Sequence, residues 1–229
     1  MIIYFVRHGH PDYKTDSLTE LGKLQAEGAA QRLKNCGISE IYASSNGRAM
    51  ETAQFTADIL GLPVVPCDFM RELSWGSKSG EEIPFNGKPW DVANSLSVQG
   101  IDLSNPDWGQ IYPFSKSKVV DNAASVRAGF DGLMAQLGYT RDGQGYRVTG
   151  PDTDKNIAIF SHAGSASAVM AHLLNITFPQ MCLNFHMDFA SITKVSFPND
   201  LGARIFPKFI GFNDAEHIQG IAAENVFGN

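Results

Sequence analysis

Histidines follow two short, largely apolar segments that lie far apart in the sequence. Residues 2–6 run directly into Arg7 and His8, and residues 156–160 lead through one serine to His162. Apolar runs of this length are typical of strands buried on both faces of a sheet. Ligands of open α/β sheets bind beyond the carboxyl ends of the strands. If the two strands are neighbours, two imidazoles and one guanidinium point into a single crevice.

A further cation, Arg48, falls in the first turn of a helix that is predicted to begin after Asn46. Helix N-termini favour anions because of their free N–H groups and the helix dipole, so a cation there is unfavourable by itself. The position makes sense if an anion lies between the helix end and the guanidinium. Arginine forks match the geometry of phosphate. Together with Arg7, His8 and His162, Arg48 predicts a phosphate-sized pocket in a chain of net charge −6.

The elements that must position these residues are strands alternating with helices. Helical spacing and capping residues mark four segments: 19–37, 46–61, 126–138 and 163–174. Thr19 and Asn46 are the predicted N-caps, and Gly37 and Gly61 are the predicted ends. This alternation predicts an α/β sandwich. Two later segments, 191–197 and 203–212, have strand composition but are interrupted by prolines, which favours edge strands.

Residues 76–118 differ in composition from the rest of the chain. Nineteen of these 43 residues are Gly, Pro, Ser or Asn, and no regular spacing persists. The segment nevertheless carries five aromatic residues: Phe85, Trp90, Trp108, Tyr112 and Phe114. A flexible linker would not carry two of the three tryptophans. We therefore expect one domain over residues 1–229, with residues 76–118 forming an ordered, loop-rich cap insertion.

The overall composition argues against several classes of protein. A net charge of −6 disfavours a nucleic-acid surface, which needs a basic stripe. The apolar runs are shorter than the roughly 18 residues of a membrane helix, so no membrane partner is expected. The three cysteines show neither metal-ligand spacing nor a disulfide framework, which predicts reduced thiols in a cytoplasmic protein. No cofactor is expected, and the oligomeric state is left open.

Four motifs, in order along the chain, resemble those of the histidine phosphatase superfamily, which is also described as phosphoglycerate-mutase-like. The resemblance rests on Arg7-His8-Gly9 with Leu18-Thr19-Glu20-Leu21-Gly22, on Ser44-Ser45-Asn46-Gly47-Arg48-Ala49, on Met70-Arg71-Glu72-Leu73, and on Ser161-His162-Ala163-Gly164. One tripeptide would be weak support, whereas four ordered motifs are strong support. The resemblance implies a three-layer α/β/α sandwich with a mostly parallel central sheet.

The resemblance also implies a role for each site residue. His8 would be the nucleophile that forms a phosphohistidine, and it needs its second ring nitrogen bound to an acceptor to keep the useful tautomer. Arg7, Arg48 and His162 would hold the phosphoryl oxygens. Glu72 would protonate the leaving oxygen and then activate water. Phosphoryl transfer requires mainly positioning and charge stabilisation, so no metal is required.

Departures from the family pattern leave the function partly open. Many members follow Arg-His-Gly with a Thr or Ser and later an Asn, whereas this chain continues with residues 10–13, His-Pro-Asp-Tyr. A basic segment of the kind that phosphoglycerate mutases use has no clear match in residues 76–118. Both facts favour a phosphatase acting on a small phosphomonoester. A phosphoglycerate-type mutase, a non-catalytic phospho-ligand binding module and a phosphopeptide phosphatase are the alternatives.

Other polar residues are weaker candidates. Glu81 or Glu82 could replace Glu72 as the acid. His10 and a tryptophan, Trp75 or Trp90, are candidates for lining the substrate pocket. His8 and His10 could suggest a metal pair, but no further ligand completes a metal site at suitable spacing. The remaining histidines, His172, His186 and His217, are expected to be structural.

Overall fold

The computed structural model describes residues 1–150 and 153–221. The strands in these ranges are β1 (Ile2–Arg7), β2 (Pro11–Asp12), β3 (Ser17–Leu18), β4 (Ile38–Ala43), β5 (Val64–Pro66), β6 (Tyr139–Asp142), β7 (Gly145–Val148), β8 (Asn156–Ser161), β9 (Ile192–Ser196), β10 (Arg204–Ile205) and β11 (Lys208–Asp214). The α-helices there are α1 (Glu20–Leu33), α2 (Gly47–Leu60), α3 (Pro89–Val98), α4 (Val119–Gln136), α5 (Ala163–Leu174) and α6 (Phe178–Asn184). No helix in the described ranges is both long and apolar enough to cross a membrane.

Six strands form the central sheet, in the order β11-β9-β1-β8-β4-β5. β1, β8, β4 and β5 pair in parallel, whereas β9 and β11 pair antiparallel to their neighbours. The prediction of a mostly parallel sheet is confirmed. Because β8 lies between β1 and β4, the segments that carry His8, His162 and Arg48 follow three adjacent strands.

Side chains of β1 alternate between two buried clusters, one on each face of the sheet. Ile3 and Phe5 belong to the cluster that includes α4 and α5, and Phe5 lies 6.0 Å from the ring centroid of Phe130 on α4. Tyr4 and Val6 belong to the cluster that includes α1 and α2. Burial on both faces explains why this strand is continuously apolar. The three-layer α/β/α sandwich is confirmed.

The predicted N-caps Thr19 and Asn46 and the predicted end at Gly61 agree with the structure in position. However, α1 ends at Leu33 rather than at Gly37, and α4 begins at Val119 rather than near residue 126. The Thr19 hydroxyl accepts a hydrogen bond from Gly22 N at 3.1 Å, which satisfies a free N–H of α1. Asn46 precedes α2, and Gly61 ends it with a left-handed φ of 66°. The Asn46 side chain does not cap α2, however, because its Oδ1 accepts from Glu72 N at 3.3 Å. That bond connects the start of α2 to the segment of Glu72.

The late strands depart from the predictions. β9 lies inside the sheet between β1 and β11, so the expectation of an edge strand is wrong for residues 191–197. Pro198 follows the end of β9 and therefore interrupts no ladder bond. β11 is the edge strand, and Pro207 separates it from β10. A second sheet of β10, β7 and β6 was not predicted, because its strands are short and rich in charged residues.

Residues 76–118 form an ordered excursion whose two ends meet. Lys118 N donates to Gly76 O at 2.9 Å, so the chain leaves and returns at one place. The segment contains short 3-10 turns and α3, a helix over residues 89–98 that the irregular spacing of the sequence did not indicate. Trp108 packs against Phe178 of α6, with their ring centroids 5.9 Å apart. Aromatic packing therefore anchors this segment to the rest of the fold.

Candidate active site

The ends of β1 and β8 bring the two predicted histidines together. The strands pair in parallel with Arg7 opposite Ser161, so the next residue of each strand falls at the same level. His8 N donates to Ser161 O at 2.9 Å, and the rings of His8 and His162 lie 5.0 Å apart between centroids. β1 and β8 are therefore neighbouring strands, which was the condition for the two histidines to lie close together.

Two contacts determine the tautomer of His8. Its Nδ1 lies 2.7 Å from Gly9 O, a carbonyl that can only accept, so Nδ1 carries the proton. Arg48 Nε donates to His8 Nε2 at 3.3 Å, and a guanidinium can only donate, so Nε2 carries the lone pair. Burial first, and then the Arg7 charge, hold the pKa of His8 well below 6.5. The ring is therefore neutral at neutral pH.

Gly9 is required by the close approach of two chain segments. A Cβ at this position would lie 2.4 Å from the backbone oxygen of Gly22 in α1. Gly9 N donates to Thr52 Oγ1 of α2 at 3.1 Å. The carbonyl that orients His8 is thus held between α1 and α2, which gives the imidazole a fixed acceptor.

Arg48 is held by a carboxylate that sequence reasoning missed. The Arg48 side chain is 9% exposed, and its Nη1 donates to Asp16 Oδ1. Asp16 Oδ2 also accepts from Gly47 N at 2.8 Å and from Asn46 Nδ2 at 3.3 Å. The anion between the helix start and the guanidinium is therefore a protein side chain. Asp16 lies between the two parts of the first motif, and the unfavourable position of Arg48 was the signal that could have identified it.

Arg7 points from the end of β1 into the same region. Its guanidinium donates to Met187 O and lies 3.9 Å from the centroid of the Phe189 ring. Burial lowers the pKa of Arg7, while the charges of Glu72, Tyr13 and Asp188 act in the opposite direction. Within the described ranges its Nε has no hydrogen-bond partner. A buried donor of this kind is suited to an anionic ligand.

His162 is the N-cap of α5, directly at the end of β8. Its Nε2 lies 2.8 Å from Ser44 Oγ, while Nδ1 is buried and has no partner among residues 1–150 and 153–221. Burial lowers the pKa of His162 well below 6.5, and the charges of His8, Arg48 and Arg7 add to the effect. The first turn of α5 favours an anion at this point, and Gly164 N there donates to the Glu72 carboxyl group at 3.1 Å.

Glu72 joins the site from the segment that follows β5. Its Oε1 accepts from Leu73 N at 2.9 Å and from Gly164 N at 3.1 Å. Burial raises the pKa of Glu72, and it outweighs these hydrogen bonds and the charges of Arg7 and Arg48, which lower it. The carboxyl group is therefore protonated at higher pH than a solvent-exposed glutamate. This property suits a general acid.

A cavity of about 870 Å³ opens beside these groups, with Arg7, Arg48 and Glu72 in its wall. Trp75 and Trp90 both line it, so both tryptophan candidates face the cleft. His8 and His162 are not in the wall, and they are 1% and 0% exposed.

Several other candidates are placed elsewhere or differently. His10 does not line the cleft, because its Nδ1 contacts Thr19 Oγ1 at 3.0 Å and its ring packs on Phe189. Glu81 and Glu82 are exposed and outside the cleft wall, and hydrogen bonds from Ser77 and Ser79 lower the pKa of Glu81 to about 2. His186 lies in the cleft wall. In the described parts of the chain, no group of three or more His, Cys, Asp and Glu side chains is placed to hold a metal ion.

Comparison with known proteins identifies similar sequences for the N-terminal part. Residues 3–91 match the family described as histidine phosphatase superfamily (branch 1). The probable phosphoglycerate mutase GpmB of Yersinia pestis is 41% identical over 83 residues, which cover 32% of this chain and 39% of that relative. The match thus spans about two fifths of the curated relative's length.

Similar solved structures extend over nearly the whole chain. A mycobacterial glucosyl-3-phosphoglycerate phosphatase has a TM-score of 0.62 and 22% identity, and the likeness covers 93% of this chain and 99% of that one. Phosphoserine phosphatase from Entamoeba histolytica has a TM-score of 0.62 and 21% identity, with 95% and 98% covered. At this identity the likeness shows that the fold is shared.

Proposed function

We propose that the chain, whose residues 3–91 match the histidine phosphatase superfamily (branch 1), belongs to that superfamily and hydrolyses a small-molecule phosphomonoester through a phosphohistidine at His8. The tautomer of His8 carries this proposal. Nδ1 donates to Gly9 O, so the lone pair lies on Nε2, and the lowered pKa keeps the ring neutral. A neutral imidazole with a fixed lone pair can attack phosphorus, whereas an imidazolium cannot.

The phosphoryl group is held by Arg7, Arg48 and His162. Arg48 Nε contacts the very lone pair that attacks, and Arg48 itself lies in the cleft wall. When phosphoryl oxygens enter the cleft, the guanidinium donates to them instead and releases Nε2 of His8. The nucleophile is therefore protected from solvent before the substrate binds. The same cations stabilise the charge that develops on the phosphoryl oxygens.

Glu72 serves as acid and then as base. In the first step, Nε2 of His8 forms a bond to phosphorus, the ester P–O bond breaks, and the carboxyl proton passes to the departing alcohol oxygen. In the second step, the Glu72 carboxylate takes a proton from water while the water oxygen attacks phosphorus. The P–N bond then breaks, inorganic phosphate leaves, and His8 is neutral again. The raised pKa of Glu72 keeps its proton available for the first step.

A phosphoglycerate-type mutase is the second candidate, and the named activity of the Yersinia relative favours it. A mutase would use the same phosphohistidine but return the phosphoryl group to a hydroxyl of the product. A phospho-ligand binding module would hold the same anion without turnover. We propose that residues 76–118 form a cap over the site. Such a cap is compatible with each of these three functions and therefore does not distinguish between them.

The proposal is tested with purified protein and p-nitrophenyl phosphate, a substrate that needs little help from an acid. We expect release of inorganic phosphate and an acid-labile, base-stable phosphoenzyme after rapid quenching, both absent in His8→Ala. His10→Ala is the matched control, because His10 lies outside the cleft wall. Conversion of 3-phosphoglycerate to 2-phosphoglycerate without phosphate release would favour the mutase. Retained turnover in His8→Ala would overturn the proposal.

A further inference from the structure

The cleft is larger than a phosphate group with a three-carbon alcohol requires. Its volume is about 870 Å³, within the roughly 300–1,000 Å³ of pockets that bind drug-sized ligands. Arg7, Arg48 and Glu72 account for one part of the wall. A three-carbon ester held there would leave most of the remaining volume to water. The volume therefore favours a bulky leaving group.

Aromatic and apolar side chains make up much of the remaining lining of the cleft. The indoles of Trp75 and Trp90 pack edge to face, with ring centroids 6.1 Å apart and planes at 88°. Leu183, Phe185 and Met187 also line the cavity. Indole rings present flat apolar surfaces against which sugar rings and aromatic rings pack. This lining therefore favours an alcohol that carries a ring.

Two charged side chains of the cleft wall form an ion pair. Lys88 Nζ lies 3.2 Å from Asp91 Oδ2, and both residues line the cavity. A carboxylate on the leaving group would have to compete with Asp91 for Lys88 and would be repelled by Asp91. The paired charges therefore disfavour an acidic alcohol such as glycerate. An uncharged alcohol meets no such opposition and can hydrogen-bond to both side chains.

We infer that the Trp75–Trp90 part of the cleft binds the leaving group, and that the substrate is a phosphomonoester of an uncharged, ring-bearing alcohol of the sugar or nucleoside kind. This inference rests on the proposed function. It goes beyond that function by naming the leaving-group class and the residues that select it.

The test compares alkyl phosphates that differ in ring and charge: glucose 6-phosphate, adenosine 5′-monophosphate, glycerol 3-phosphate and 3-phosphoglycerate. We expect kcat/KM to be about tenfold higher for a ring-bearing ester than for the two acyclic ones. Trp75→Ala should remove most of this preference through KM, and Trp75→Phe should restore it. Tyr112→Ala is the control, because Tyr112 is an exposed aromatic residue of the 76–118 segment that lies outside this cleft. Glycerol 3-phosphate or 3-phosphoglycerate as the best substrate would overturn the inference.

A charge variant and a binding measurement complete the test. Asp91→Asn should raise kcat/KM for 3-phosphoglycerate by about threefold relative to glycerol 3-phosphate, because Lys88 loses its partner. Calorimetric binding of the same four esters to His8→Ala measures the ring preference without turnover. A ring preference in binding with no turnover in the parent protein would reject the phosphatase and keep the inference. Turnover in the parent protein together with equal binding of all four esters would keep the phosphatase and reject the inference.

Discussion

Asp16 and Arg48 form an ion pair at the N-terminus of α2, where the same carboxylate also accepts from Gly47 N. Asp16 adopts a left-handed backbone conformation with φ of 52°, and its backbone oxygen would lie 2.2 Å from a Cβ on Gly47. The loop before β3 is therefore packed directly against the helix start. The Asp16 carboxylate thus interacts favourably with the dipole of α2. It also orients the Arg48 guanidinium, which is proposed to bind phosphate.

Substitution of Asp16 should separate these two effects. Asp16→Ala removes the helix cap and the ion pair, and we expect a loss of about 1 kcal/mol in the free energy of unfolding together with a lower kcat. Asp16→Asn keeps an acceptor for Gly47 N, so stability should largely return. The kcat should stay low, because an amide holds the Arg48 guanidinium less firmly. Urea unfolding and steady-state kinetics provide the two measurements.

Asp12→Asn is the control for this pair, since Asp12 is a nearby loop carboxylate that accepts from Lys14 N rather than from Arg48. It should leave both kcat and stability near those of the parent protein. Full recovery of kcat in Asp16→Asn would mean that Asp16 acts on the helix alone.

Much of this site was predictable because His8 and His162 directly follow apolar strands. The apolar strands before His8 and His162 place both histidines at one edge of the sheet whatever the loop details, and the two rings are 5.0 Å apart. Arg48 was predictable from its conflict with the helix dipole. The sequence also predicted that His8 needs an acceptor on its second nitrogen, although it did not indicate that Gly9 O would be that acceptor.

Other features depend on tertiary contacts that have no local pattern. Asp16 belongs to a loop without regular spacing, so its contact with Arg48 arises only when the loop packs on Gly47. The edge expectation for residues 191–197 was wrong because Pro198 lies beyond the strand, which local composition does not reveal. His10 was a candidate for the cleft because of its neighbours in sequence, but its contact with Thr19 turns it to the α1 side.

Gly164→Ala should lower kcat, whereas Gly132→Ala should raise the stability of the fold and leave kcat unchanged. A Cβ on Gly164 would lie 2.5 Å from Glu72 Oε1, so the carboxyl group must move and kcat should fall. A Cβ on Gly132, an exposed position within α4, has open space around it, so alanine should stabilise the helix by about 0.5–1 kcal/mol without changing kcat. Thermal unfolding and turnover of an alkyl phosphate, whose alcohol needs a proton to leave, would measure both. Normal kcat in folded Gly164→Ala would show that the position of Glu72 is not critical.

Glu72→Gln tests the proposed acid through the leaving group. Glutamine keeps the size and the acceptor oxygen of Glu72 but supplies no carboxyl proton. We expect kcat/KM, which reports the first step, to fall by roughly 10²–10⁴-fold for alkyl phosphates. The kcat/KM for p-nitrophenyl phosphate should be affected far less, because its phenolate leaves without protonation. Glu81→Gln is the control, since Glu81 is outside the cleft wall. Equal losses for both ester types would exclude Glu72 as the acid.

The pH dependence of kcat/KM should be a bell whose two limbs belong to His8 and Glu72. As pH falls, protonation of His8 removes the lone pair, and its pKa is held well below 6.5 by burial and by Arg7, so the acidic limb lies below pH 6.5. As pH rises, Glu72 loses the proton that it must donate, and its pKa is raised above 4.5 by burial. The optimum is therefore expected on the acidic side of neutrality.

Glu72→Gln assigns the basic limb of this bell. The variant cannot lose a carboxyl proton, so its profile should keep the acidic limb and lose the basic one. Stability gives an independent check with a defined sign: because the pKa of Glu72 is raised in the folded state, its ionisation destabilises the fold as pH rises. Glu72→Gln should therefore gain stability relative to the parent protein at pH 7 and lose that advantage below pH 4.5. A basic limb that persists in the variant would assign that limb to another group.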